Sequence, residues 1–385
     1  MMIREIPHLR TSERTAFKRC QQAWQWRYRN GLVTRSVKPD ALWFGTGIHL
    51  ALAERYKHKG TRRGKNVLGV WRDYVGETQG MVKTLPSGEY GVDPGEYVSF
   101  LELGEGMLGA YLDHYGKDER WYVISEEQTF EIPIPIPKKS RLNTGSFNRA
   151  QLKSGTIVYY NGTFDLVARD QEGDDSLWLW DHKTAASIQT RHLTLDDQAG
   201  SYWAVAGDVL SHQGLIKPGE KLDGIQYNFL RKGKPDERPK NKNGQALNKP
   251  SKDQYLQALS GYPGVSPKLT IPMLETIATD NDIVVEGEVS KQQPAPLFHR
   301  EEVWRTASER RTQIERIQNE ALQMQAVRSR LLPVIKTPTK DCSWCVFFDM
   351  CELHENGDDW QELRDLSFTK QDPYADHRLY TTTEE

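Results

Sequence analysis

Cysteine is scarce in this chain, four residues in 385, and long apolar runs are missing. No stretch approaches the roughly 18 consecutive apolar residues that a membrane helix requires, in keeping with a mean hydropathy of -0.70. The first residues, Met1-Met2-Ile3-Arg4-Glu5-Ile6-Pro7, lack the apolar segment of a secretory signal. A cytoplasmic location is therefore expected, with no membrane partner and with the cysteines reduced and able to act as ligands. An excess of one charge is lacking too. The 51 basic and 53 acidic residues leave a net charge of -2, so any contact with a polyanion must come from local basic patches. There is no internal repeat and no G-x-x-x-x-G-K-[ST] loop, which leaves the chain without a nucleotide-driven motor of its own. The length suits one large domain or two ordinary ones with an ample core.

The densest chemistry lies in two short segments, Gly162-Thr163-Phe164-Asp165 and Asp181-His182-Lys183. From Leu177 to Lys183 the pattern alternates: Leu177, Leu179, Asp181 and Lys183 share one face, and Trp178, Trp180 and His182 the other. Asp170-Gln171-Glu172-Gly173-Asp174-Asp175 supplies the turn that makes the two strands a hairpin. The tryptophans mark its second strand as internal. An aspartate and a lysine side by side on an apolar strand, with another aspartate on the neighbouring strand, need a compensating counter-ion. A divalent cation is the natural one. This is the outline of a metal-dependent phosphodiester-cleaving site, with Asp165 and Asp181 as oxygen ligands for Mg²⁺ or Mn²⁺. Lys183 would orient or deprotonate the attacking water; the choice stays open, because a cation lowers and carboxylates raise its pKa.

The cysteines are grouped three and one. Cys342, Cys345 and Cys351 form a C-x2-C-x5-C cluster, and Cys20 lies far upstream. A zinc ribbon usually has two C-x2-C pairs. The spacing alone leaves free thiols, zinc and an iron–sulfur cluster open. Trp24, Trp26, Trp344, Phe347 and Phe348 flank these positions and are expected to keep water away.

Along the chain, Ser12 to Tyr28 reads as one helix, capped by Thr11 or Ser12 and closed by Gly31, with Phe17, Cys20 and Trp24 on its inner stripe. Further helices are expected over Thr46–His58, Val67–Thr78, Glu96–Tyr115 and Leu195–His212, and a long charged one over Arg300–Arg330. The loop before Glu96 contains Pro86 and Pro94. Trp121–Pro137 reads as a strand whose prolines suggest an edge, and Gly224–Leu230 as another strand. Two runs are basic: Arg55 to Lys65, and Arg231 to Lys252, the latter a candidate mobile guide for a nucleic-acid strand. Either run is equally compatible with solvated surface. The expected organisation is a helical region over 1–120 contributing Cys20 and His49, a core over 121–231, an insertion over 232–298, a helix with the cysteine cluster over 299–366 and a polar tail over 367–385.

Asp165, then Asp181-His182-Lys183, then Gln198-Ala199-Gly200-Ser201-Tyr202, resembles the PD-(D/E)XK nuclease superfamily in its RecB/AddB-like branch. The upstream Phe44-Gly45-Thr46-Gly47-Ile48-His49 matches that branch's histidine in a Gly-rich helix start, and the resemblance runs in order from about Ser12 to Cys351. It implies an α/β fold, with a mixed central sheet flanked by helices as in restriction endonucleases and a C-terminal iron–sulfur segment. It also implies a metal-dependent DNA nuclease, most simply an exonuclease of recombination, repair or phage DNA processing. A single-strand annealing recombinase or a helicase is the partner such members often have. By the same resemblance, Asp165, Asp181 and Lys183 are catalytic, and His49 and the His182 carbonyl join the two aspartates on the metal. Gln198 and Tyr202 bind substrate, and Cys20, Cys342, Cys345 and Cys351 hold a [4Fe–4S] cluster. Glu127 on the preceding strand also resembles a family position. A non-catalytic DNA-binding scaffold and a structure-specific endonuclease are the competing readings.

Overall fold

The structure is a computed structural model, and it describes residues 5–35, 41–57, 66–80, 94–137 and 147–374. In chain order the first half holds β1 (His8–Arg10), α1 (Thr11–Arg19), α2 (Gln21–Trp24), β2 (Leu32–Thr34), α3 (Ala41–Arg55), α4 (Val67–Gly80), α5 (Pro94–Tyr115), β3 (Trp121–Pro135), α6 (Arg149–Ser154) and β4 (Thr156–Asp170). The second half holds β5 (Leu177–Ala185), α7 (Asp197–His212), β6 (Gly224–Arg231), α8 (Lys252–Ala258), α9 (Ile271–Asp280), β7 (Phe298–Trp304), α10 (Ala307–Arg328), α11 (Phe348–Asn356), α12 (Trp360–Ser367) and β8 (Phe368–Lys370). The chain divides into two compact units, residues 233–297 and the rest.

The larger unit is α/β, built on a mixed six-stranded sheet. β4 pairs with β3 along nearly its whole length, and on successive stretches with β1 in parallel and β5 antiparallel. β5 and β6 are parallel, and β7 closes the far edge antiparallel to β6. The expected edge position of β3 holds, since it pairs only with β4. Pro133 and Pro135, which cannot donate to a ladder, are exposed there while Phe130 and Ile134 are buried.

The alternation in β5 divides the core. Leu177 and Leu179 pack with Phe130, Val205, Ile225 and Ile317 on the layer formed by α7 and α10. Trp178 and Trp180 pack with Phe44, Ile48, Trp71 and Tyr111 on the layer formed by α3, α4 and α5. α3 and α4 meet closely because Gly47 has no side chain; a Cβ there would lie 2.5 Å from the rings of Trp71 and Tyr74.

Several expectations are corrected. The Ser12–Tyr28 helix is broken at Cys20, whose backbone is extended (φ -161, ψ 115), and the chain resumes as α2 and one π-helical turn over Gln25–Arg29. The break lets one segment serve two cores. Phe17 and Trp24 meet edge to face in the main core at 4.9 Å, whereas Trp26 belongs to a separate cluster with Leu32, Phe347, Met350 and Phe368. The start of the expected Arg300–Arg330 helix is β7 instead, because pairing with β6 supplies its backbone hydrogen bonds. The true helix start is signalled by a capping box, Thr306 with Glu309. The expected polar tail begins as structure. β8 pairs with β2, buries Phe368, and leads to Tyr374, whose hydroxyl donates to Glu13 Oε2 at 2.6 Å.

Of the first basic run, Arg55 donates to the Gly116 carbonyl and lies over the rings of Tyr56 and Tyr111, and Lys57 pairs with Glu54 at 2.5 Å. Lys59 to Lys65, His58, Pro86 and residues 375–385 lie outside the described residues.

Glu13 is fully buried and accepts from Trp24 Nε1 (2.9 Å), Arg328 Nη2 (2.5 Å) and the Tyr374 hydroxyl. It thereby ties α1 to α10 and to the segment after β8. Removing one member of a buried ion pair leaves the other uncompensated, so Glu13→Ala should cost about 3 kcal/mol. Urea denaturation followed by tryptophan fluorescence measures this; a loss within about 0.5 kcal/mol, as for an ordinary surface site, would deny Glu13 that anchoring role.

Candidate metal centre and active site

Two ladders set the geometry. On β3 and β4, Glu126 pairs with Leu166 and Gln128 with Phe164, which places Glu127 opposite Asp165. On β4 and β5, Leu166 pairs with Trp180, and the His182 N–H reaches across to Asp165 Oδ2 at 2.8 Å. Glu127 has φ +43. A non-glycine residue in that region costs of order 1–3 kcal/mol, a kind of strain that collects at functional sites.

α3 brings in His49 from the tryptophan-lined side of the sheet. Its Nε2 donates to the His182 carbonyl at 2.9 Å, and its Nδ1 lies 3.4 Å from Asp165 Oδ1. Ligand atoms of His49, Glu127 and Asp165 all lie within 4.8 Å of one another. Asp181 is buried at 7% exposure beside them, and Lys183 Nζ approaches its Oδ2 to 2.8 Å. The two side chains form an ion pair.

The electrostatics follow from burial and from an excess of carboxylates. Burial opposes the charge on His49, but Asp165 outweighs it and raises the imidazole to about 9. Burial likewise opposes ionisation of Asp165, yet His49 and the His182 N–H hold it well below the usual carboxylate range. Glu127 is pushed up to about 7 by burial and by Asp165. Burial pushes Asp181 up despite Lys183, with Asp165 and Asp196 adding to the effect. Lys183 is raised against its own burial by Asp181 and Asp196.

The His182 ring points to the opposite layer, as the alternation requires. Its Nδ1 accepts from Asn228 Nδ2 at 2.9 Å, its ring stacks near Tyr56, and burial lowers it to about 3, so it is neutral. Only its backbone faces the carboxylates.

Gln198 and Tyr202 sit on α7 with different surroundings. Gln198 is exposed on the first turn. The Tyr202 ring packs on Phe130 and Phe164, 5.4 and 6.0 Å between centroids. Gly162 makes room for it; a Cβ there would be 2.8 Å from both the Tyr202 and Phe130 rings. Asp196 was not singled out in the sequence. It caps α7 by accepting from the Gln198 and Ala199 N–H groups, and its charge acts on Asp181 and Lys183. An acidic residue just before a helix was the available signal.

The four cysteines come from both ends of the chain. Cys20 sits at the break between α1 and α2, Cys342 in a 3₁₀ turn over Lys340–Trp344, Cys345 just after it, and Cys351 on α11. Burial raises the Cys351 thiol against Lys336, with Cys20 and Cys345 adding to the rise, so these three are electrostatic neighbours. Cys345 and Cys351 pack against the cluster of Trp26, Phe347 and Phe368. The other aromatic residues expected to shield them do not. Trp344 is 85% and Phe348 46% exposed, and Trp24 belongs to the main core.

Against this geometry, a family model described as the PD-(D/E)XK nuclease superfamily matches residues 11–352. The chain belongs to the PD-(D/E)XK nuclease superfamily. A search of curated proteins finds no match to it. Nucleases of this superfamily typically use a divalent metal, and the residues here fit one. Glu127 Oε1 is buried with no hydrogen-bond donor. The surrounding donor set, carboxylate oxygens with one imidazole, suits Mg²⁺ or Mn²⁺, the imidazole favouring Mn²⁺. No helix among the described residues is long and apolar enough to cross a membrane.

The raised pKa values make metal uptake a proton-releasing event. Because His49 is shifted above its ordinary value of 6.5 to about 9, its pairing with Asp165 stabilises the metal-free protein fully below pH 6.5. That stabilisation fades as pH rises through about 9. A ligating imidazole or carboxylate must be unprotonated. Apparent Mn²⁺ affinity should therefore climb with pH and level off above about 9. Calorimetry at pH 7 in buffers of different ionisation enthalpy should register proton release, and its absence would remove His49 from the ligand set.

Proposed function

We propose that this superfamily member is a metal-dependent deoxyribonuclease of the RecB/AddB-like branch, acting as an exonuclease in recombination, repair or phage DNA processing. The observation that carries the proposal is the meeting of Glu127, Asp165 and His49 around a buried carboxylate oxygen with no donor, with Asp181 and Lys183 paired alongside. In this reading Asp165, Asp181, His49 and the His182 carbonyl hold Mg²⁺ or Mn²⁺, with Glu127 beside them. The bound ion supplies positive charge against the non-bridging phosphate oxygens and makes a nearby water more acidic.

The chain's own residues do the positioning. Lys183 stays an ammonium beside Asp181, which suits donating a hydrogen bond to the attacking water or to phosphate better than taking a proton. His49 and the His182 N–H fix the Asp165 carboxylate from two directions. Asp196 caps α7 and orders the turn that carries Gln198, which is exposed and able to reach a DNA strand. Tyr202, braced by Phe130 and Phe164, lines the same helix. An annealing recombinase or a helicase is the protein partner this reading favours.

Cys20, Cys342, Cys345 and Cys351 hold a [4Fe–4S] cluster in the same proposal, supplying the four thiolates that such a cluster takes. The electrostatic influence of Cys20 and Cys345 on Cys351, and the packing of Cys345 and Cys351 beside Trp26 and Phe347, support this. The cluster's role is structural, joining the first helix to the C-terminal segment.

Incubation with linear and circular DNA plus Mn²⁺ tests the activity. Loss of linear DNA alone supports the exonuclease, loss of both an endonuclease, and loss of neither a non-catalytic scaffold. Lys183→Ala should abolish cleavage and leave DNA binding largely intact; cleavage at the unaltered rate would overturn the assignment. Cys20→Ala should lose iron, thermal stability and activity together. Full stability without iron would refute a structural cluster.

A further inference from the structure

The unit over residues 233–297 has its own core and an unusual distribution of charge. Its core packs α8 against α9 through Tyr255, Leu259, Leu274 and Ala278. Between Arg238 and Leu274 a single residue, Asp253, is acidic, against Lys240, Lys242, Lys249, Lys252 and Lys268; the later carboxylates begin at Glu275. We propose that Lys240, Lys242 and Lys249, on a rigid hairpin of this unit, form a contact surface for the phosphate backbone of DNA. This rests on the reading of the chain as a DNA nuclease.

The segment expected as a mobile guide is bonded internally as a hairpin. Lys240 and Ala246 form an antiparallel bridge, and Leu247 forms another with Val289. The Asn241 side chain accepts from the N–H groups of Asn243 and Gln245, and Gly244 takes the left-handed conformation (φ +75) that closes the turn. Gln293 clamps the base of the hairpin, accepting from the Ala246 N–H at 2.8 Å and donating to the Ala246 carbonyl at 3.1 Å. Ala246 and Leu247 are buried beneath it.

On this frame Lys240, Lys242 and Lys249 are exposed, and none of them enters an ion pair among the described residues. Arg238, by contrast, is occupied by Asp236 at 2.6 Å and by Ser290. Three positive charges that no ion pair neutralises attract a polyanion, whose binding releases counter-ions. A preformed turn also reduces the ordering cost of binding. Lysine is a point charge without the planar fork that reads base edges, and the Asn241 amide is already used inside the turn. The surface therefore grips backbone without regard to sequence.

The test compares the full-length protein with the triple variant Lys240→Glu, Lys242→Glu, Lys249→Glu. Anisotropy of a labelled duplex, with Ca²⁺ as the only divalent ion, is followed between about 50 and 200 mM salt. Each phosphate contact contributes a slope of about -0.9 in log affinity against log salt, so three contacts make the unaltered protein weaken about 40-fold more than the variant over that range. A variant with the three lysines changed to Gln, checked by thermal melting, serves if charge reversal disturbs folding. Equal salt slopes for the protein and either folded variant would overturn the proposal. Cleavage of linear DNA, measured separately on the unaltered protein, reports on the nuclease reading alone, so each idea can fail without the other.

Discussion

The rest of this structure is arranged around carboxylates that cannot all be charged together. Glu127, Asp165 and Asp181 project from three adjacent strands into a partly dry space, with Asp196 at the end of α7 adding its field. His49 and Lys183 provide two cations, and Glu127 remains with a buried oxygen that no donor meets. Burial and repulsion then raise the least compensated acid, Glu127, toward neutrality. A folded state that retains this charge imbalance, and a left-handed Glu127 as well, is more readily understood as a site prepared for a cation than as a stabilising feature of the sheet.

Holding such a site open requires a stiff frame, and the two-layer core supplies it. From Leu177 to His182 β5 is buried on both faces, so Asp181 cannot swing away without disturbing the core around it. His49 comes from a helix pressed against Trp71 and Tyr74 through Gly47, which limits its freedom in the same way. The N-terminal and C-terminal segments are joined by several contacts, among them β2 with β8, Glu13 with Arg328 and Tyr374, and the cluster around Trp26 and Phe347. Cys345 and Cys351 pack in this last region. A cluster there would reinforce a junction that hydrogen bonds and apolar packing already define.

Much of the site was legible because β-strand alternation is a short-range rule. The opposite facing of Asp181 and the His182 ring, the internal position of β5 and the turn at Asp170–Asp175 all follow from residues within a few positions of one another. What escaped were features decided by distant partners. Phe298–Trp304 carries charges that suit a helix surface, but β6 offers it a ladder. Cys20 continues a helical stripe, yet the backbone breaks there to serve a second core. Trp344 looks like cover for the thiols and is instead exposed. Glu127 did not escape, but only its resemblance to a family position singled it out; nothing in its own neighbourhood marks it, since its meaning depends on facing Asp165 across the β3–β4 ladder.

The amino-acid sequence by itself determined the central hairpin and the placing of two aspartates and a lysine along it, because periodicity and turn composition act over a handful of residues, while the α/β class followed from the family resemblance. Only the tertiary structure decided that His49 and Glu127 reach Asp165, that Asp181 keeps Lys183 as its partner, and that three of the four cysteines come within electrostatic range across nearly the whole chain. The reason is physical. Charge interactions and ligand sets depend on distance and burial in three dimensions, and the pairing of strands remote in sequence is what sets both.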